Sequence, residues 1–124
     1  MNGKTILIVE DDRDLLVVLS TRLKAHGYRV VVALDAITAM SIAVKSDPDL
    51  VILDMALPGG NGFTLLQRIR SNLSLTTTPV IVLTAQGDEF RERVLEAGAD
   101  AFFPKPADND LLLAAISSFT CKTG

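Results

Sequence analysis

Cysteine is almost absent from this chain of 124 residues, and its scarcity limits where the protein is expected to work. Cys121 is the single cysteine, so no internal disulfide can form. A chain that folds without disulfides is typical of a reducing compartment. The sequence therefore predicts a cytoplasmic protein.

Long apolar runs and excess positive charge are also lacking. No stretch approaches the roughly 20 apolar residues needed to cross a bilayer. The N-terminal segment MNGKTILIVEDD has one lysine and an apolar run too short for a secretory signal. The formal net charge of −3 leaves no basic face for nucleic acid. We therefore expect neither membrane insertion nor direct nucleic-acid binding by this chain.

Glycine-rich nucleotide loops, repeats and linkers are missing as well. Neither G-x-G-x-x-G nor G-x-x-x-x-G-K-[ST] occurs, which argues against a Rossmann dinucleotide site and a P-loop. The composition, with 48% hydrophobic and 22% charged residues, is that of a globular chain rather than a disordered one. Residues 1–124 are therefore predicted to form one domain.

Short apolar runs rich in β-branched residues alternate with longer segments of helical period. The predicted strands are Thr5–Val9, Arg29–Ala33, Leu50–Leu53, Val80–Leu83 and Ala101–Phe103. The predicted helices are Asp12–His26, Asp35–Lys45, Gly62–Asn72, Glu89–Ala97 and Asn109–Phe119. Four strands show little polar alternation, which is typical of strands covered on both faces. The strand Arg29–Ala33 is the exception, and we expect it nearer an edge.

This alternation predicts an α/β fold with a parallel sheet and helices on both of its faces. In such sheets the functional crevice lies beyond the carboxyl ends of the strands. The residues that follow each strand are therefore the candidates for function. Acids follow the first and third strands, Thr84 follows the fourth, and the sequence PKP follows the fifth.

The acids at these strand ends are Glu10, Asp11 and Asp54. Carboxylates that converge at one sheet edge repel each other and lose hydration, and a hard divalent cation such as Mg²⁺ commonly offsets that cost. Lys105 supplies a positive point charge, and Thr84 a neutral hydroxyl. Carboxylates, metal, lysine and threonine together suit phosphoryl transfer, in which a carboxylate can be the nucleophile.

Each of these residues also has a simpler explanation when it is taken alone. Asp12 is expected to cap the first helix, Thr84 can be an ordinary strand-end residue, and Lys105 an ordinary surface lysine. Lys105 nevertheless lies between two prolines, which restrict the backbone on both sides. This arrangement allows a cis peptide bond before Pro106.

The segments ILIVEDD, VILDMALPGGNG, VIVLTA and AFFPKP occur in that order over nearly the whole chain. Together they closely resemble the receiver domain of bacterial two-component response regulators. The resemblance implies a single doubly wound (βα)5 domain with a five-stranded parallel sheet in the flavodoxin-like order 2-1-3-4-5. It also implies a phosphoprotein that acts in signal transduction.

The resemblance implies roles for the residues around the acid cluster. Asp54 matches the phosphoacceptor, and Asp11 matches the acid that binds Mg²⁺ directly. Glu10 matches the neighbouring acid that acts through water. The backbone carbonyl of Ala56 matches a further metal ligand.

The same comparison assigns residues at the other two strand ends. Thr84 matches the switch hydroxyl, and Lys105 matches the lysine that contacts the phosphoryl group. Phe102 matches the aromatic switch residue, and Pro106 matches a cis proline. The positions of Ala56 and Gln86 are implied to tune how long the phosphoryl group persists.

The chain departs from the family pattern at three positions. Asn61 replaces an acid before a loop glycine, which concerns only turn chemistry. Phe102 replaces the commoner tyrosine, so the switch residue keeps its bulk and loses a hydroxyl. Pro104 replaces an apolar strand residue and limits hydrogen bonding at the end of the fifth strand.

The resemblance also implies partners and an output. A sensor histidine kinase or a histidine phosphotransfer protein would donate a phosphoryl group from phosphohistidine, and the face made of helix four, strand five and helix five would respond. The chain would then be a switch that catalyses only its own phosphorylation and dephosphorylation, not an enzyme for another substrate. Phosphorylation can be accompanied by formation of a homodimer, and the downstream partner is not encoded.

The segment LLVVL, residues 15–19, has more apolar residues than one helical stripe needs. If Leu15, Val18 and Leu19 face the sheet, then Leu16 and Val17 point outward near the acid cluster. We predict that Leu16 and Val17 form a docking patch for the phosphodonor. Scattered surface exposure is the alternative.

Other functions remain to be weighed against a phosphorylated switch. A flavodoxin-like electron carrier shares the alternation, but the acids of EDDRD would repel a flavin phosphate. An aspartate-nucleophile phosphatase would need a second acid where this chain has Ala56. A non-phosphorylated interaction module of the same fold stays open, and Mg²⁺-dependent labelling of Asp54 would distinguish it from the switch.

Overall fold

Five strands alternate with five α-helices along the chain, as the sequence predicts. The computed structural model describes residues 3–59, 61–85 and 87–121. The strands are β1 Thr5–Val9, β2 Arg29–Ala33, β3 Leu50–Leu53, β4 Val80–Thr84 and β5 Ala101–Pro104. The helices are α1 Arg13–Ala25, α2 Ala36–Ser46, α3 Gly62–Ser71, α4 Arg91–Glu96 and α5 Asn109–Thr120.

All neighbouring strands pair in parallel, in the order β2-β1-β3-β4-β5. The predicted fold class and strand order are therefore confirmed, and β2 lies at an edge. β5 is the opposite edge strand, as the predicted order implies, and its side chains reach the cores on both faces of the sheet. Phe102 is buried there, whereas Ala101 and Phe103 are only half-buried and Pro104 is exposed. Proline is tolerated at this edge because no further strand needs its missing N–H group.

Two hydrophobic cores lie on opposite faces of the sheet. One core packs β-strand side chains against α2, α3 and α4, and the other packs them against α1 and α5. Asp12 caps α1, since its carboxylate accepts the N–H groups of Asp14 at 3.0 Å and Leu15 at 3.2 Å. This confirms the predicted cap. No helix of the described ranges has the length and apolar character needed to cross a bilayer.

The orientation of α1 corrects one sequence prediction. Leu16, Leu19 and Leu23 are the buried residues of this helix, so Leu16 faces the core and does not belong to an outward patch. Val17 is 66% exposed, as expected, and Val18 is 48% exposed. The run LLVVL fits two helical registers equally well, and packing against the sheet selects the one that buries Leu16.

The helix before β5 is shorter than predicted. A 3-10 turn at Asp88–Phe90 comes first, and α4 follows it for only six residues. Val94 is the single buried residue of α4, and no side-chain hydrogen bond caps its first turn. Gln86, an expected tuning position, lies outside the described residues.

Arg70 ties α3 to the starts of β4 and β5, a contact that the sequence did not predict. Its Nε donates to the Gly98 carbonyl at 2.8 Å, and its Nη1 donates to the Thr78 carbonyl at 2.6 Å. Its Nη2 forms an ion pair with Asp100 at 2.8 Å, and the same Asp100 oxygen accepts the Val80 N–H. The guanidinium thus fixes the segment that leads into β4 and the turn that leads into β5.

Arg70→Met should lower the free energy of unfolding by about 2 kcal/mol, because three partners lose charge-assisted hydrogen bonds. Arg68 of the same helix is exposed, so Arg68→Met is a matched control with an expected change within about 0.5 kcal/mol. Urea denaturation followed by circular dichroism measures both. Equal losses in the two variants would contradict this role for Arg70.

Candidate functional site

The carboxyl ends of the strands bring the predicted residues to one edge of the sheet. The Asp54 N–H donates to the Val9 carbonyl at 3.0 Å, so β1 and β3 stay paired up to the acids. The Lys105 N–H donates to the Thr84 carbonyl at 2.8 Å, so β4 and β5 do the same on the other side. Backbone pairing alone therefore brings the candidate side chains to the same edge of the sheet.

Glu10, Asp11 and Asp54 form the acid cluster. Each offers a carboxylate oxygen, and these oxygens all lie within 4.8 Å of one another. Glu10 is 3% exposed and Asp54 is 6% exposed, whereas Asp11 faces solvent. Oxygen ligands at this spacing, partly open to water, fit a hard divalent cation such as Mg²⁺.

Lys105 partly neutralises the cluster. Its Nζ lies 2.6 Å from Glu10 Oε1 and 3.4 Å from Asp54 Oδ2. Lys105 thus contacts both acids, and the shorter contact is with Glu10. Glu10 Oε2 in turn accepts the N–H groups of Asp11 at 3.0 Å and Asp12 at 3.1 Å. Glu10 is therefore held from both sides and positions the lysine beside Asp54.

These contacts shift two ionisation equilibria. Burial is the largest influence on Glu10 and raises its pKa, and the charge of Asp54 adds to the rise. The Lys105 hydrogen bond and the Asp12 N–H oppose that rise without cancelling it. Burial alone would lower the pKa of Lys105, but its hydrogen bond to Glu10 and the charge of Asp54 outweigh burial and raise it. Lys105 therefore stays protonated at neutral pH.

The loop after β3 folds back beside Asp54. The Ala56 N–H donates to Asp54 Oδ1 at 3.1 Å and fixes one carboxylate oxygen. A Cβ atom on Gly62 would lie 2.6 Å from the Met55 Cα, so only glycine fits there. The role of the Ala56 carbonyl as a metal ligand stays a prediction.

Thr84 and Phe102 lie on the last two strands, β4 and β5. Thr84 is fully buried at the end of β4, between the strands that carry Asp54 and Lys105. Phe102 pairs with Val82 and is 5% exposed. The peptide bond between Lys105 and Pro106 is cis, which confirms that prediction.

An apolar cavity of about 450 Å³ opens next to Lys105, between α1 and the start of α5. Its walls include Leu15, Val18, Pro106 and Leu112, and Asp12 lies at the polar side. The sequence did not reveal this cavity, because its walls come from segments far apart in the chain. Of the two residues of the predicted patch, Leu16 is buried and Val17 is exposed.

Comparison with known proteins gives one consistent family. A family model described as "Response regulator receiver domain" matches residues 6–117. The phosphate regulon transcriptional regulatory protein PhoB of Pseudomonas aeruginosa is 35% identical over 125 residues, which cover 100% of this chain and 55% of PhoB. The chain spans 55% of the length of PhoB and 26% of the length of the response regulator PleD of Caulobacter vibrioides.

Solved structures agree with this result. A putative response regulator from Chloroflexus aurantiacus superposes with a TM-score of 0.90 at 34% identity, over 97% of this chain and 99% of that chain. The receiver domain of the sensor histidine kinase PA1611 from Pseudomonas aeruginosa, solved with a magnesium ion in its active-site cleft, gives a TM-score of 0.86 at 31% identity, over 97% and 99%. This chain therefore belongs to the family of two-component response regulator receiver domains.

Proposed function

We propose that the chain accepts a phosphoryl group on Asp54 from a phosphohistidine, in a reaction that depends on Mg²⁺. The observation that carries this proposal is the convergence of three carboxylates within 4.8 Å, with the Lys105 ammonium beside Asp54. Asp54 is the acid in this group that both Lys105 and the Ala56 N–H contact. A sensor histidine kinase or a histidine phosphotransfer protein is the expected donor.

The residues present fit Mg²⁺. Asp11, Asp54 and the backbone carbonyl of Ala56 would bind the ion directly, and Glu10 would contact it through water. When bound, Mg²⁺ would offset the negative charge of the carboxylates and of the phosphoryl oxygens. The related receiver domain of PA1611, which holds magnesium in its active-site cleft, supports this assignment.

The chain's own residues perform the transfer in the proposed mechanism. An oxygen of Asp54 attacks phosphorus in line, a P–O bond forms, and the P–N bond to the donor imidazole breaks with its electron pair leaving on nitrogen. The Ala56 N–H holds the other carboxylate oxygen. Lys105 and Thr84 each bind one phosphoryl oxygen of the product, and attack by water later releases phosphate. We therefore propose a self-modifying switch and not an enzyme with a separate substrate.

Phosphorylation would change the face formed by α4, β5 and α5. Thr84 would move toward the phosphoryl group, and Phe102 would turn into the space that it leaves. Both side chains are buried, so neither can move without a change in its neighbours' packing. The altered face would bind a downstream domain or protein, or a second copy of the chain.

The donor would dock over α1. Val17 and Val18 are exposed apolar residues there, and the cavity lined by Val18 and Pro106 adjoins Lys105. An apolar surface beside the acceptor suits the helices of a phosphohistidine protein. The net charge of −3 and the single cysteine agree with a cytoplasmic chain that does not bind nucleic acid directly.

Val17→Ser should slow transfer from a phosphotransfer protein about 3- to 10-fold, because an exposed apolar contact is lost. Labelling by a small phosphodonor should not change, since that donor needs no docking surface. Val44 on α2 is also an exposed valine, at 48%, and it lies away from the site. Val44→Ser is therefore the control. Equal transfer rates for both variants and the wild type would remove α1 from the interface.

The proposed function is tested by incubating the chain with a small phosphodonor, with Mg²⁺ or with a chelator. We expect intact-mass spectrometry to show one added phosphoryl group only with Mg²⁺, and peptide mapping to place it on Asp54. Label on another residue, or equal label in chelator, would contradict the mechanism. No label at all would favour the non-phosphorylated interaction module.

A further inference from the structure

The position of α4 depends on few contacts. This helix has six residues, one of which is buried, and its first turn has no side-chain cap. Elements with little buried apolar surface open and shift more easily than the rest of a fold. The contacts of its exposed side chains therefore contribute much to the position of α4.

Arg91, the first residue of α4, contacts β5 through its guanidinium. The Cζ atom lies 4.9 Å from the centroid of the Phe102 ring, and Nη1 lies 3.5 Å from the Phe102 carbonyl oxygen. A guanidinium at this distance from a ring face is attracted to it. One side chain thus contacts both the ring and the backbone of Phe102.

Arg93 of the same helix makes a different contact. Its Cζ atom lies 5.1 Å from the Phe63 ring and 5.5 Å from the Phe90 ring. These rings belong to α3 and to the turn before α4, so this contact does not reach β5. Arg91 and Arg93 therefore form a natural pair of test and control residues.

Phe102 shares a face of the sheet with Thr84. It pairs with Val82, and residues two apart on a strand point to the same side. Thr84 is fully buried and Phe102 is 5% exposed, so both side chains are packed closely by their neighbours. A displacement of Thr84 toward the acid cluster would therefore change the packing around the Phe102 ring, which Arg91 covers.

We propose that Arg91 is a positioning residue that stabilises the resting arrangement of Phe102 and α4 and so opposes the phosphorylated state. The proposal rests on the proposed function of Asp54, Thr84 and Phe102. In the resting arrangement the guanidinium covers the Phe102 ring, and Thr84 keeps its buried position at the end of β4. Movement of Phe102 toward Thr84 separates the ring from Arg91, so loss of this contact shifts the population toward the state that phosphorylation favours.

The test uses beryllofluoride, a stable stand-in for the phosphoryl group, and protein labelled with 4-fluorophenylalanine. The chain has five phenylalanines, and Phe102→Leu identifies the Phe102 resonance in the ¹⁹F spectrum. We expect beryllofluoride with Mg²⁺ to shift this resonance in the wild type. Arg91→Met should shift it in the same direction before any addition, and should tighten beryllofluoride binding two- to fivefold, the range of an exposed cation–π contact.

A double-mutant cycle separates the ring contact from the charge of Arg91. In the Phe102→Leu background, Arg91→Met should leave beryllofluoride affinity unchanged, because the contact is already absent. Arg93→Met should leave the affinity and the Phe102 resonance unchanged in the wild-type background. If Arg91→Met is unstable, Arg91→Gln provides the same comparison, since glutamine removes the charge that is attracted to the ring.

Two results would overturn the proposal. One is an equal effect of Arg91→Met with and without the Phe102 ring, and the other is no effect in either background. Both presuppose that the wild type responds to beryllofluoride. Failure of the proposed function is distinct, because the wild type itself would then neither respond to beryllofluoride nor take up a phosphoryl group.

Discussion

Asp54→Asn should reduce labelling by a small phosphodonor by more than about 1,000-fold, as expected when a nucleophile is removed. Asparagine has nearly the same size, but its amide oxygen is not a nucleophilic carboxylate. The Ala56 N–H at 3.1 Å can still bond to that oxygen, so the surrounding loop should keep its position. Phosphoryl incorporation measured by mass spectrometry, at saturating Mg²⁺, gives the result.

The fold of this variant should be at least as stable as that of the wild type. Asp54 is 6% exposed and its charge raises the pKa of Glu10, so removal of the charge relieves repulsion between the two acids. Asp35→Asn is a matched control, because Asp35 caps α2 away from the site and asparagine is an equally good cap. Wild-type labelling of Asp54→Asn, or its loss in Asp35→Asn, would contradict the assignment.

Lys105→Met should lower the free energy of unfolding by about 2 kcal/mol at neutral pH in chelator, because Glu10 and Asp54 then share a buried site without a cation. The full penalty for breaking a buried pair is larger, but the lysine side chain is 20% exposed and water screens part of it. Mg²⁺ should restore more stability to this variant than to the wild type. Urea denaturation with and without Mg²⁺ measures both effects.

The pH dependence of this loss has a definite sign. The Lys105 hydrogen bond lowers the pKa of Glu10 against the larger effect of burial, so its removal raises that pKa further above the ordinary value of 4.5. A carboxyl group with a raised folded pKa binds more protons when folded, and stability falls as pH rises through that window. The deficit of Lys105→Met should therefore be smallest near pH 4.5 and grow toward neutral pH.

Lys24→Met is the control for both measurements, since Lys24 is an exposed residue near the end of α1. It should change stability by less than about 0.5 kcal/mol at every pH. A Lys105→Met deficit that matches this control, or that shrinks as pH rises, would show that the lysine does not neutralise the acid cluster.

Much of the fold followed from the sequence because its strongest signals are local. Apolar β-branched runs that alternate with helical segments predicted all five strands and the parallel sheet. Glu10, Asp11, Asp54, Thr84 and Lys105 were placed at one edge by the rule that parallel strands end together. Asp12 as a helix cap was likewise predicted from neighbouring residues, whereas the cis bond before Pro106 was implied by the resemblance to receiver domains.

The errors arose where several local arrangements were equally good. LLVVL allows two helical registers, and the prediction used the one that would expose Leu16. The first turn of the predicted fourth helix is a 3-10 turn, because boundary residues carry weaker signals than helix centres.

The sequence by itself determined the order of the elements, the acids at their ends and the lysine and threonine that face them. Those properties depend on residue type and on spacing along the chain. Only the tertiary structure decided that Lys105 contacts Glu10 more closely than Asp54, that Arg70 joins α3 to two strands, and that Arg91 covers Phe102. Such contacts are set by differences of an ångström between groups far apart in sequence, and these distances exist only after both cores have packed.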